Sequence, residues 1–269
     1  DYLITGARSC IGRYIYRLIK IITAKLYRQA ILVSCVTEGF AKSLMRRGVK
    51  NLIIVPNGAD TKNLKPHNRQ QTKRQLGLEK CFVITYIGSL RKYHNLEVLI
   101  QALKLLSPEF LRKIRLLVVS PSSAIMQIKN MVKKYGLKEN VIYLRARLDE
   151  ERISQLLSAA DIGLIAGLYS ENQIPVRFYE YCSCGLPVMA ILQECYVRKS
   201  VLSRLIVENG IGFVIPASAI REIARTIQLI MNDRNFLKEA GKRVRKLAEE
   251  KFDRYVFAEI FLIKLTKIL

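Results

Sequence analysis

FVITYIGSLRKYHNLEVLIQALKLLSPEFLRKIRLLVV, residues 82–119, contains two six-residue apolar runs, Phe82–Ile87 and Ile114–Val119, separated by a more polar stretch. Within that stretch Leu96, Leu99, Ile100 and Leu103 recur at intervals of three and four, the period of one helix face. A run of six apolar residues fits a strand covered on both sides. Strand, helix, strand with short connections is the unit of a parallel sheet, because parallel neighbours require a long crossover.

Downstream the alternation continues. Periodicity predicts a helix near 122–135, a strand at Val141–Leu144, a helix near 150–158 and a strand at Ile162–Ala166. A helix near 176–184 then leads through Gly185 into a strand at Pro187–Ile191. The expected fold class is α/β, a Rossmann-type parallel sheet with helices on both faces. Upstream, Ile15, Ile19, Ile22 and Leu26 mark an amphipathic helix over 13–29 that also carries Arg13, Arg17, Lys20, Lys25 and Arg28. A strand over Ala30–Val36, a helix over Glu38–Arg47 and a strand over Leu52–Val55 follow, ended by Pro56-Asn57-Gly58. The polar segment 61–80, with Pro66, reads as a linker. From Ala219 onward three helical stretches are separated by Asp233 and Asp253, both good helix-capping residue types.

Half of the 269 residues are apolar, enough for a full core. Lys and Arg number 45 against 22 Asp and Glu, a net charge of +23 that implies an anionic partner. Membrane surface, nucleic acid and a phosphate-bearing small molecule all satisfy that requirement. The six cysteines, Cys10, Cys35, Cys81, Cys182, Cys184 and Cys195, form no C-x-x-C pair and have two histidines beside them. That pattern argues against zinc and for a reducing, cytoplasmic compartment. No stretch approaches about 20 uninterrupted apolar residues, the length of a spanning helix.

Thr5-Gly6-Ala7-Arg8-Ser9-Cys10-Ile11-Gly12 resembles the glycine loop of short-chain dehydrogenases, but Cys10 stands where the middle glycine must let a pyrophosphate approach. Four residues are also too few for the strand that precedes such a loop, so a dinucleotide cofactor is not expected. Four other segments share one order: Val55-Pro56-Asn57-Gly58-Ala59-Asp60, Tyr86-Ile87-Gly88-Ser89-Leu90, Ala160-Asp161-Ile162-Gly163-Leu164, and Pro175 through Arg177, Glu180, Tyr181 and Cys184-Gly185-Leu186-Pro187-Val188. Together they resemble the family 4 retaining glycosyltransferases, whose text runs V-P-N-G-x-D, Y-x-G-x-L, A-D-x-x-L and E-x-x-x-x-G-x-P-V.

The resemblance implies a GT-B fold, two Rossmann-like domains facing across a cleft, and a nucleotide-diphosphate sugar as donor, with no tightly held cofactor or metal. Glu180 matches the family's ribose-binding Glu. Gly88, Arg91, Lys92 and His94 lie in the segment that faces the diphosphate, and Arg177 stands where many relatives carry a Lys. Ser89 and His94 depart from the family's G-R-L-x-x-x-K-G pattern, removing fixed charge. The family often places a second Glu eight residues before the ribose one, to hold the transferred sugar. Here that position is Asn172, with Glu171 beside it as the catalytic candidate.

The implied organisation is a remnant of the N-terminal, acceptor-side domain at 1–60, the linker 61–80, a complete donor domain at 81–252, and a helix at 253–269 returning to the N-terminal domain. About a hundred further residues are expected upstream, because each doubly wound unit takes roughly 150. The chain alone is therefore expected to be inactive. The expected function is hexosyl transfer to a glycan or lipid-linked acceptor at the inner face of a membrane, where anionic lipid attracts basic faces. Nucleic acid is not an expected partner, since the 13 Tyr and 9 Phe mostly fall within apolar runs. An inactive relative, a GT-B epimerase or phosphorylase, and a basic nucleic-acid-binding α/β protein remain open alternatives.

Overall fold

The computed structural model describes residues 10–89, 95–120, 125–144 and 149–268. In chain order the elements are α1 (Cys10–Gln29), β1 (Val33–Cys35), α2 (Glu38–Met45), β2 (Leu52–Ile54), α3 (Arg69–Gln75), β3 (Phe82–Ile87), α4 (Leu96–Lys104), α5 (Pro108–Lys113) and β4 (Ile114–Val119). They continue with α6 (Ile125–Lys134), β5 (Val141–Leu144), α7 (Glu150–Ala159), β6 (Ile162–Ala166), α8 (Val176–Ser183), β7 (Val188–Leu192) and α9 (Glu194–Val197). The last are α10 (Val201–Glu208), β8 (Gly212–Pro216), α11 (Ile220–Asn232), α12 (Arg234–Lys251) and α13 (Arg254–Thr266). The chain divides into two compact units, Gly58–Asp253 and a smaller one made of residues up to Asn57 with those from Arg254 onward.

In the larger unit six strands pair in the order β5-β4-β3-β6-β7-β8, every pair parallel. Strand side chains alternate between faces. Val83 and Ile87 of β3 join one core with residues of α7, α8, α10 and α12. Phe82, Ile84 and Tyr86 join the other, with residues of α4, α6 and α11. The fold is therefore α/β with helices on both faces of a parallel sheet. The chain builds outward from β3 through β4 to β5, then returns to lay β6 on the other side of β3. Strand order reverses between β3 and β6, and ligands of open α/β sheets bind at the carboxyl ends of strands at such a point.

The segment 61–80 is not a linker. It contains α3, whose N-cap Asn68 accepts from the Gln71 N–H at 3.0 Å, and Thr72 and Lys73 are buried in the larger unit. Its polar sequence hid this because Lys73 is buried for its charge. The Asp161 carboxylate, 1% exposed, accepts from Lys73 Nζ at 2.5 Å, Arg234 Nη1 at 2.8 Å and the Val83 N–H at 2.8 Å. Burial pulls the Lys73 amine below its ordinary value, against the attraction of Asp161. α5, α9, α10 and β8 also go beyond the sequence reading. Asp233 caps α12 by accepting from the Phe236 N–H, and Asp253 accepts from the Thr61 hydroxyl at 2.7 Å.

In the smaller unit β1 and β2 pair in parallel, Val33 opposite Leu52 and Cys35 opposite Ile54. Arg28 Nε, near the end of α1, donates to the Arg47 carbonyl at 2.7 Å. Leu18, Ile22 and Leu26 of α1 and Leu262 and Ile263 of α13 are about half exposed. Among the described residues no helix is long and apolar enough to cross a membrane.

Candidate functional site

A cavity of about 260 Å³ opens at the carboxyl ends of β3 and β6, where the strand order reverses. Gly88 and Ser89 line it just after β3, Gly167 just after β6, and Gln173, Pro175, Val176, Arg177 and Glu180 from α8 and the loop before it. Gly88 holds φ +119° and Gly167 φ +85°, left-handed conformations that suit residues lacking Cβ. Gln193, just after β7, clamps the start of the loop: its Oε1 accepts from the Leu168 N–H at 3.0 Å and its Nε2 donates to the Leu168 carbonyl at 2.9 Å.

Helix α8 is keyed to the sheet by Tyr181. A Cβ on Gly163 of β6 would lie 2.5 Å from the Tyr181 ring, so glycine there makes room for the aromatic side chain. The buried Tyr181 hydroxyl lies 3.1 Å from the Leu164 carbonyl and 3.3 Å from the Thr85 carbonyl, and accepts from the Ile87 N–H at 3.4 Å. Burial pushes that phenol upward from its ordinary value. The neighbouring Glu180 is thereby held at the cavity, and burial raises its carboxyl above the ordinary carboxylate range while nearby Arg177 opposes the shift. Pro175, the N-cap of α8, offers no side-chain acceptor; the Phe178 N–H donates to its carbonyl at 2.9 Å, while the Val176 and Arg177 amides precede the first intrahelical bond and lie at the positive end of the helix dipole.

Three of the residues singled out in the sequence, Gly88, Arg177 and Glu180, meet in this cavity. Arg91, Lys92 and His94 lie outside the described residues. Glu171 is exposed and does not line the cavity; its carbonyl accepts from the Val201 N–H and its carboxylate acts on Tyr196. The reason is the turn formed by the Gln173 N–H donating to the Ser170 carbonyl, which turns Gln173 toward the cavity instead. Gln173 Oε1 accepts from the Tyr169 N–H at 3.0 Å. A backbone N–H can only donate, so this contact fixes which end of the carboxamide is oxygen and leaves Nε2 as the donating end. Among the described residues no group of three or more His, Cys, Asp and Glu side chains could hold a metal ion.

Residues 68–247, most of the larger unit, match the family model of the group 1 glycosyl transferases. The chain belongs to that family. This group 1 chain is 26% identical over 197 residues to the D-inositol 3-phosphate glycosyltransferase of Nocardia farcinica, which covers 71% of this chain and 42% of that protein. Among solved structures it resembles Anabaena HepE in complex with UDP-glucose, with a TM-score of 0.75, 19% identity, and coverage of 91% of this chain and 66% of that one. It also resembles WaaG, a glycosyltransferase involved in lipopolysaccharide biosynthesis, with a TM-score of 0.76, 18% identity, and coverage of 95% and 69%. These likenesses show the fold, that of the GT-B glycosyltransferases. The chain spans about half the length of the curated relatives it matches.

Proposed function

We propose that this chain binds a nucleotide-diphosphate sugar in the cavity at β3 and β6 and serves a retaining glycosyltransferase that moves a hexose to a glycan or lipid-linked acceptor. The observation that carries the reading is the meeting of Arg177, in the first turn of α8, with Glu180, one turn on, over the switch point of the sheet. In sequence along α8 and its loop, Glu180, Arg177 and Gln173 match the order ribose, diphosphate, sugar. Glu180 accepts from the ribose diol, while the Arg177 side chain and the Val176 and Arg177 amides at the start of α8 serve the diphosphate. As the sugar–phosphate bond breaks, its electron pair leaves with the diphosphate, and these donors stabilise that charge. Gln173 Nε2 serves the sugar end, where Glu171 does not reach. UDP-glucose in HepE and the sugar transfer stated in the name of the Nocardia relative support the donor class.

In the same reading the smaller unit belongs to the acceptor-side half. α1, with Arg17, Lys20, Lys25 and Arg28 and no acidic residue, gives it a basic face for an anionic membrane surface. The test of the donor site is titration of the chain with UDP-glucose by calorimetry. Glu180→Ala is expected to weaken binding at least ten-fold, since hydrogen bonds to a charged group contribute about 1.5–3 kcal/mol. Unchanged affinity with an unaltered melting curve removes Glu180 from the site.

A further inference from the structure

The geometry points to Tyr86 as the positioning residue of Arg177, an inference that rests on the donor-site reading above. Tyr86 is fully buried near the end of β3, and the Arg177 Cζ lies 4.2 Å from its ring centroid. The Tyr86 hydroxyl donates to the Ser89 carbonyl at 2.8 Å, and Arg177 Nη2 reaches the same carbonyl at 3.5 Å. A third side is closed by the backbone at Gly88, where a Cβ would stand 3.2 Å from Arg177 Nη2. The guanidinium is thus confined by a ring face, a carbonyl and a bare stretch of main chain.

What confines it also decides what it can do. Among the described residues no carboxylate lies within ion-pair distance of Arg177. An arginine ordered by an ion pair has its charge neutralised by its partner. One ordered by a π face and a carbonyl is held by partial charges; Glu180 acts on it electrostatically without a direct ion pair, which leaves its N–H groups open to an anion. Tyr86 acts on the ligand only through Arg177: the ring sets the plane of the guanidinium, and the hydroxyl fixes the Gly88–Ser89 turn that the guanidinium rests on.

A double-mutant cycle on the full chain, read by calorimetric titration with UDP, tests this. Arg177→Gln is expected to weaken UDP binding by about ten-fold. Tyr86→Met, which fills similar core space without a π face, is expected to weaken it about five-fold beside Arg177 and less than two-fold beside Gln. Tyr86→Phe, which keeps the ring, is expected to stay within about three-fold of the wild type. Equal losses for Tyr86→Met in both backgrounds would mean that Tyr86 merely supports the fold, and no loss beside Arg177 would equally overturn the inference. Arg177→Lys, away from the core, keeps the charge but not the planar stack; it is expected to lose about five-fold, and wild-type affinity in that variant rejects the stacking account even if Tyr86→Met does not fold. Failure of the donor-site reading has a different signature: Arg177→Gln then leaves UDP affinity unchanged, or the wild type binds no UDP, and the inference falls with it.

Discussion

Glu180 sits in the cavity with its acid–base balance pushed toward the neutral form by burial, and this makes its contribution to binding depend on pH. A raised carboxyl stabilises the unliganded fold most below its unfolded value and loses that contribution as pH rises through the folded one. Ligand binding runs the other way, because ribose hydroxyls donate best to the ionised carboxylate. UDP-glucose affinity is therefore expected to strengthen as pH rises through the raised Glu180 range, with proton release. Calorimetry at several pH values in buffers of different ionisation enthalpy reads both effects, and Glu180→Gln should flatten them; a profile identical in that variant removes Glu180 as the titrating group. Glu180, Arg177 and Gly88 were legible in the sequence because charge and glycine are informative at their motif positions. Gln173 was not, since a neutral amide acquires meaning only from its partner, the Tyr169 N–H. Counting back eight residues selected Asn172 and Glu171, but a count carries no information about the turn that sends Gln173 inward.

Among the elements, five of the six strands of the larger sheet, β3 to β7, were readable from their apolar runs to within a residue, because strands packed in the middle of a sheet leave little choice of composition. α3 was misread as a linker because its buried face is ionic: Lys73 and Asp161 lie 88 positions apart, and nothing local signals that they meet. β8 escaped because it begins with Gly and ends with Pro. The Asp161 cluster joins α3, β3, β6 and α12, so its removal acts on four elements at once. Asp161→Ala leaves the buried Lys73 ammonium without its carboxylate, with the Cys81 carbonyl still accepting at 2.7 Å, and is expected to destabilise the chain by about 3–5 kcal/mol. Chemical denaturation monitored by circular dichroism measures this, and a loss below about 1 kcal/mol would show that water or another group replaces the carboxylate.

For the whole molecule, the +23 charge is a long-range property that no single contact accounts for. If the basic face of α1 meets anionic lipid, sedimentation with vesicles containing phosphatidylglycerol should fall steeply between about 0.05 and 0.5 M salt, as screening shortens the reach of charge. Arg17, Lys20 and Lys25 changed together to Gln should reduce it several-fold, whereas equal binding to neutral vesicles would refute the electrostatic account. The larger unit places its cavity over β3 and β6, and these are also the two central strands, each paired on both edges and covered on both faces. In kinetic terms the floor of the site is the part of the molecule that opens last. Amides of Ile84–Ile87 and Leu164–Ala166 should exchange with solvent only through global opening, at the slowest rates in the chain, while the sheet edges and the ends of helices exchange by local fraying. Heating should then abolish nucleotide binding at the temperature where the larger unit unfolds as a whole, with no earlier state that is folded but has lost the floor of its site.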